Sequence, residues 1–107
     1  MTVEERVAAG TAWLDEKVPD WWQTHKFSLD IFDLTNGCRC VVGQLAPDNM
    51  DYGEAIDYAW LDLTDSLAWD LGFFAGEPET DDETIAMYAA LEDEWVRVIT
   101  ERREVEK

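Results

Sequence analysis

Apolar residues recur every three or four positions at both ends of this chain and far less regularly between them. Near the C-terminus, Thr84, Tyr88, Leu91, Trp95, Val98 and Ile99 keep to one helical stripe. Thr80-x-x-Glu83 supplies a capping box ahead of it, with Asp81 and Asp82 in the first turn, where the helix dipole favours anions. Arg102, Arg103 and Lys107 fall near the opposite end, so this is expected to be the longest helix. At the N-terminus, Thr2-x-x-Glu5 precedes Val3, Val7, Gly10, Leu14 and Val18, which predicts a helix over 3–17 that stops before Pro19. Gly10 on this stripe fits either close approach of another element or a tolerated surface glycine.

The middle is harder to read. Residues 19–26 (PDWWQTHK) form a polar connector. Over 27–45, Phe27, Leu29 and Ile31 alternate with Ser28 and Asp30, and Asn36-Gly37 can close a hairpin. Against that, Phe32 breaks the alternation, no good third strand exists, and Cys38, Val41, Val42 and Leu45 share a helical face. A helix over 37–45 with Asn36 as its N-cap is preferred. Tyr52 to Trp60 reads as a further short helix. Another starts at Thr64 or Asp65 and ends at Gly72, and Gly76-Glu77-Pro78 reads as a turn. The expectation is one mainly α domain over 1–107, a compact bundle of four or five helices. An α+β fold with a 27–45 hairpin is the alternative.

Charge adds more. Between Arg39 and Arg97 there is no lysine or arginine, yet the 57 intervening residues hold 15 aspartates and glutamates of a chain whose net charge is -17. Acidity alone suggests disorder, but 47% hydrophobic residues and six tryptophans give enough buriable surface to fold. A field of this sign favours basic partners and disfavours nucleic acid and anionic membrane. The longest apolar run, Ile85 to Leu91, is too short for a bilayer, and the N-terminus lacks the basic and apolar blocks of a signal peptide. A cytoplasmic location is expected.

Candidate chemistry is sparse. Cys38 and Cys40 are one residue apart, not the two to four usual in zinc knuckles, and His25 is the single histidine. On a helix the two thiols point apart, so Cys38 is expected in the core and Cys40 at its edge, with no metal or cofactor. His25 lacks a nucleophile motif, Gly43-Gln44 is no phosphate loop, and the acids are too many for any pair to be diagnostic. Trp60, Trp69 and Trp95 are expected inside. Of Trp21 and Trp22, one can plug the bundle while the other is exposed as a binding anchor, or both can pack over its end. Arg97 lies three or four residues from Asp93, Glu94 and Glu101 and partly neutralises the last helix. The uncompensated field is therefore expected over residues 48–83. The partner-binding candidates are Asp62, Asp65, Asp70, Glu77, Glu79, Asp81, Asp82, Glu83, Trp21 and Trp22.

The strings GTAWLDEKVPDWW, FDLTNGCRCVVGQL, AWDLGF and EDEWVRVITERR resemble a group of small actinobacterial and actinobacteriophage proteins. These combine an LDE…P-x-W opening with a C-x-C-V-[LV]-G-Q centre. The resemblance implies an origin and a helical domain, and it brings no catalytic residue. The expected function is a non-enzymatic, phage-related interaction protein that binds a basic surface of a host or phage protein. A DNA mimic that blocks a nucleic-acid-binding protein is one alternative, and a small metal- or thiol-dependent enzyme another.

Overall fold

The computed structural model describes residues 2–47, 50–76 and 81–105, which contain helices and turns and no strand. The mainly helical expectation is met and the 27–45 hairpin is not formed. Helix α1 spans Val3–Lys17, α2 Val41–Leu45, α3 Tyr52–Asp57, α4 Asp65–Asp70 and α5 Asp82–Val105, with a short 3-10 turn at Trp60–Asp62. The radius of gyration, 12.8 Å, matches the roughly 13 Å of a compactly folded chain this long.

Local sequence sets both long helices. Thr2 Oγ1 accepts the Glu5 N–H at 3.1 Å and Glu5 returns the bond to the Thr2 N–H at 3.1 Å, a complete capping box. At α5 the cap is one residue later than the sequence pattern suggests. Asp81 Oδ1 accepts the Thr84 N–H at 2.7 Å, while Thr80, Glu77 and Pro78 lie outside the described residues. A carboxylate there also meets the positive end of the helix dipole.

The two long helices lie side by side and run in the same direction. Val3 and Glu4 share a surface groove with Ala90, Asp93 and Glu94, and Asp15 pairs with Arg102 a dozen residues further along. Between those points a Cβ on Gly10 would stand 2.0 Å from the Leu71 carbonyl and 2.9 Å from the Trp95 ring. Gly10 is therefore a close-approach residue. Trp95 is the centre of the core. It is fully buried, meets Trp21 edge-on at 5.7 Å, stacks on Phe73 at 5.5 Å and donates to the Gly72 carbonyl at 2.8 Å. Gly72, at φ 77, is the left-handed residue that turns the chain after α4.

The expected helix over 37–45 starts late, at Val41. Asn36 does cap a turn, its Oδ1 accepting the Cys38 N–H at 2.9 Å, but that turn closes at Cys40. Cys40 is extended and becomes the N-cap of α2, its Sγ accepting the Gly43 N–H at 3.3 Å. The shift of phase reverses the two thiols: Cys40 is buried and Cys38 exposed. Gly43 admits the Gly37 carbonyl, which would lie 1.9 Å from a Cβ there. Gln44 accepts the Ser28 N–H at 2.9 Å and donates to the carbonyls of Ser28 and Arg39 at 3.1 and 2.8 Å. The C-x-C-V-V-G-Q string is thus a structural latch that holds the 28–40 loop on α2.

The helix expected from Tyr52 to Trp60 ends at Asp57. Ala59, Leu61 and Asp62 take left-handed φ of 49, 53 and 63, which no α-helix continues through. Two tryptophans expected inside are not fully so. Trp60 is half-buried, edge-on to Trp13 at 6.4 Å, and Trp69 keeps 45% of its surface exposed. α4 is too short to hide a ring on its outer face, and Trp69 instead covers the Arg6 guanidinium, 4.7 Å from the ring centroid.

Candidate functional site

Four arginines are committed within the fold. Arg6, only 3% exposed, donates to the carbonyls of Trp69 and Phe74, both at 2.7 Å, and so ties the segment that follows α4 to α1. Arg103 donates to the Trp22 and Phe27 carbonyls at 2.9 and 2.6 Å, holding the connector against α5. Arg102 makes a two-pronged pair with Asp15, which also accepts the Trp21 indole N–H at 3.0 Å. The Arg102 guanidinium holds the Asp15 carboxyl below its usual range, with the Trp21 bond assisting. Arg97 pairs with Glu94 and Glu101 on the outer face of α5. Only Arg97 was legible as a charge partner in sequence, because i,i+3 and i,i+4 spacing is local and the other three act across 63 to 87 residues.

The acids of residues 51–70 are not paired in this way, although Asp70 acts electrostatically on Arg6. Among the described residues, none of Asp51, Glu54, Asp57, Asp62, Asp65 and Asp70 is in a salt bridge. Three of them, Asp51, Asp57 and Asp65, open onto a cleft of about 390 Å³ between α3, the 34–40 loop and the start of α5. Its aromatic lining is Tyr52, Phe73, Phe74 and Tyr88. Tyr52 stacks on Phe74 at 5.5 Å with planes 12° apart and donates to Asp65 Oδ1 at 2.6 Å. Burial, and then the hydrogen bond to Asp65, pushes the Tyr52 hydroxyl well above its ordinary range, so it stays a neutral donor. Tyr88 donates to the Gly76 carbonyl. A second, shallower groove beside it is lined by Asp65, Ser66, Trp69, Asp70 and Phe74, so Asp65 and Phe74 border both.

Of the residues singled out in sequence, Asp65 and Asp70 meet at this paired concavity and Asp62 is exposed on the irregular turn that precedes α4. Asp81, Asp82 and Glu83 are exposed at the start of α5, two turns from Tyr88, and Glu77 and Glu79 lie outside the described residues. Trp21 is fully buried, the plug of the bundle, and offers no surface to a partner. Trp22 is half-buried in a separate groove with Val98, Glu101, Arg102 and Val105 near the C-terminal end of α5. Nothing in the local pattern brings Asp51, Tyr52, Asp57 and Phe74 together, since the left-handed residues Ala59, Leu61 and Asp62 are what turn the chain between α3 and α4.

Cys40 also lines the cleft, but its chemistry is that of a cap. Burial pushes its thiol up to about 11, and the Sγ is engaged by the Gly43 N–H and the Gly37 carbonyl. A nucleophilic cysteine needs the opposite shift.

Comparison with family models, curated proteins and solved structures finds no match for this chain. No helix among the described residues is long and apolar enough to cross a membrane.

Proposed function

We propose that this protein is a non-enzymatic interaction protein that binds a basic surface of a host or phage protein. The observation that supports this most is the distribution of its cations. Arg6 and Arg103 are turned to backbone carbonyls, Arg102 to Asp15 and Arg97 to Glu94 and Glu101. Asp51, Glu54, Asp57, Asp62, Asp65 and Asp70, none of them in a salt bridge among the described residues, are left to set the field. Such a field steers a positively charged surface towards itself and raises the on-rate more than the final affinity. Tyr52, Trp69 and Phe74 interleave with Asp51, Asp65 and Asp70, an arrangement that suits inserted side chains better than an unbroken row of phosphate-like charges. The basic protein surface is therefore preferred to the DNA-mimic reading.

The test begins with proteins retained from a host lysate at low salt and then measures association rates with each purified partner. The Debye length falls from roughly 30 Å at 0.01 M to about 10 Å at 0.1 M salt, so the on-rate should drop steeply over that range. Neutralising Asp62, Asp65 and Asp70 together should slow association more than neutralising Glu94, Glu101 and Glu104. A rate flat in salt, or a larger effect from the second set, would mean that the acidity serves solubility.

A further inference from the structure

We propose that the cleft between α3 and the 34–40 loop is a receptor for a single arginine side chain of that basic partner; the proposal rests on the interaction reading above and assigns its central contact. The cavity, about 390 Å³, lies near the lower end of the roughly 300–1,000 Å³ typical of small-ligand sites. That is room for one side chain and too little for a folded element. Its lining contains no lysine, arginine or histidine, and its three carboxylates come from three places: the cap of α3, the last residue of α3 and the first residue of α4. Each has acceptor capacity to offer. Asp51 Oδ1 receives the Glu54 N–H at 2.8 Å and Asp65 Oδ1 the Tyr52 hydroxyl, which leaves a second oxygen on both. Asp57 has no hydrogen-bonded or ion-paired partner among the described residues.

The chemistry selects a guanidinium. No three of the ligating side chains among the described residues converge as a metal ion requires, so acceptors spread around a cavity call for a cation with several spread donors. Arginine carries five N–H groups in a plane, pairs with carboxylates two-pronged, lies against aromatic rings and sheds water more readily than an ammonium. Tyr52 and Phe74, both half-buried at the cleft, supply the rings, with Phe73 and Tyr88 packed behind them. The chain already seats one of its own guanidiniums this way a few residues off, with Arg6 over Trp69 and bonded to two carbonyls. Further basic residues of the partner would follow the adjoining groove along Asp65 and Asp70.

The probe is a capped Gly-Arg-Gly peptide, with lysine and citrulline versions as controls, titrated at low salt into isotope-labelled protein and followed by backbone amide shifts. The arginine peptide should shift resonances of 34–40, 52–57, 65 and 73–74 saturably. The lysine version should bind about tenfold more weakly, because an ammonium cannot pair two-pronged with a carboxylate or lie flat against a ring, and citrulline, which is uncharged, should not bind measurably. Asp57→Asn should weaken the arginine peptide about tenfold, whereas Asp81→Asn, the same charge change outside the cleft, should leave it within about twofold. Equal affinity for arginine and lysine, shifts scattered over all acidic segments, or no binding at all would overturn the cleft assignment. Salt-steered association of a basic partner would survive any of those results, and its own failure is read separately from the rate measurements.

Discussion

Replacing Gly10 by alanine sets two opposed effects against each other with a sign that the structure decides. In an exposed helix interior the change stabilises by about 0.8–1.0 kcal/mol, because glycine has the larger backbone entropy to lose. At Gly10 the new methyl would stand 2.0 Å from the Leu71 carbonyl oxygen and 2.9 Å from Trp95 Cη2 and Cζ2. The nearer atom is backbone, so relief requires α1 to retreat by more than an ångström or the 71–72 peptide to rotate. Either movement disturbs the Trp95 bond to the Gly72 carbonyl next door. Overpacking of this kind costs about 1–3 kcal/mol, and weakening a buried hydrogen bond adds about 0.5–1.5. After the propensity gain the net loss should be about 0.5–3.5 kcal/mol. Gly53 is the control. It is exposed on α3, and a Cβ there would meet only Asp51 Oδ1, at 3.4 Å, so Gly53→Ala should stabilise by a few tenths to about 1 kcal/mol. Urea unfolding of both variants beside the parent measures the difference as a shift of midpoint at constant slope. A Gly10→Ala protein as stable as the parent, or more so, would refute the close packing of α1 on Trp95.

Thr11 Oγ1 is buried on α1 with no hydrogen-bond partner among the described residues, so Thr11→Val, which keeps the shape and removes the orphaned hydroxyl, should stabilise by about 1 kcal/mol; a loss in urea unfolding would show that the hydroxyl is satisfied. Cys40→Ala should cost about 1–2 kcal/mol through the lost cap of α2 and its small buried volume, whereas Cys38→Ala should stay within about 0.5 kcal/mol. A thiol reagent should label Cys38 in the native protein and Cys40 only on unfolding, and equal labelling rates would contradict the burial assigned here. Asp15 has its folded pKa depressed, chiefly by Arg102, so its contribution is present above the unfolded value near 3.8 and is lost as pH falls through the lower folded one. Asp15→Asn should therefore melt below the parent at neutral pH, with the gap closing under more acid conditions; a gap independent of pH would assign the effect to packing.

Both long helices are legible in the residues alone, because their causes are local: a capping box, acids in the first turn and an apolar repeat of three and four. The same stripe places Trp95 inside, since Tyr88, Leu91 and Ile99 fix the phase of a 24-residue helix. The overall acidity and its gap between Arg39 and Arg97 needed no structure. The remaining features depend on segments far apart in the chain. Short helices have too few turns for periodicity to fix where they begin, so α2 starts at Val41 and the burial of Cys38 and Cys40 is the reverse of the sequence expectation. Trp69 sits outside because what it covers, Arg6, is 63 residues away. The cleft depends on the same kind of information. Asp51, Asp57 and Asp65 are ordinary surface acids in sequence, and they face one cavity only because the left-handed backbone at Ala59, Leu61 and Asp62 ends α3 and redirects α4. Local patterns act within a helical turn or two, whereas a concave site is a property of segments that meet through packing.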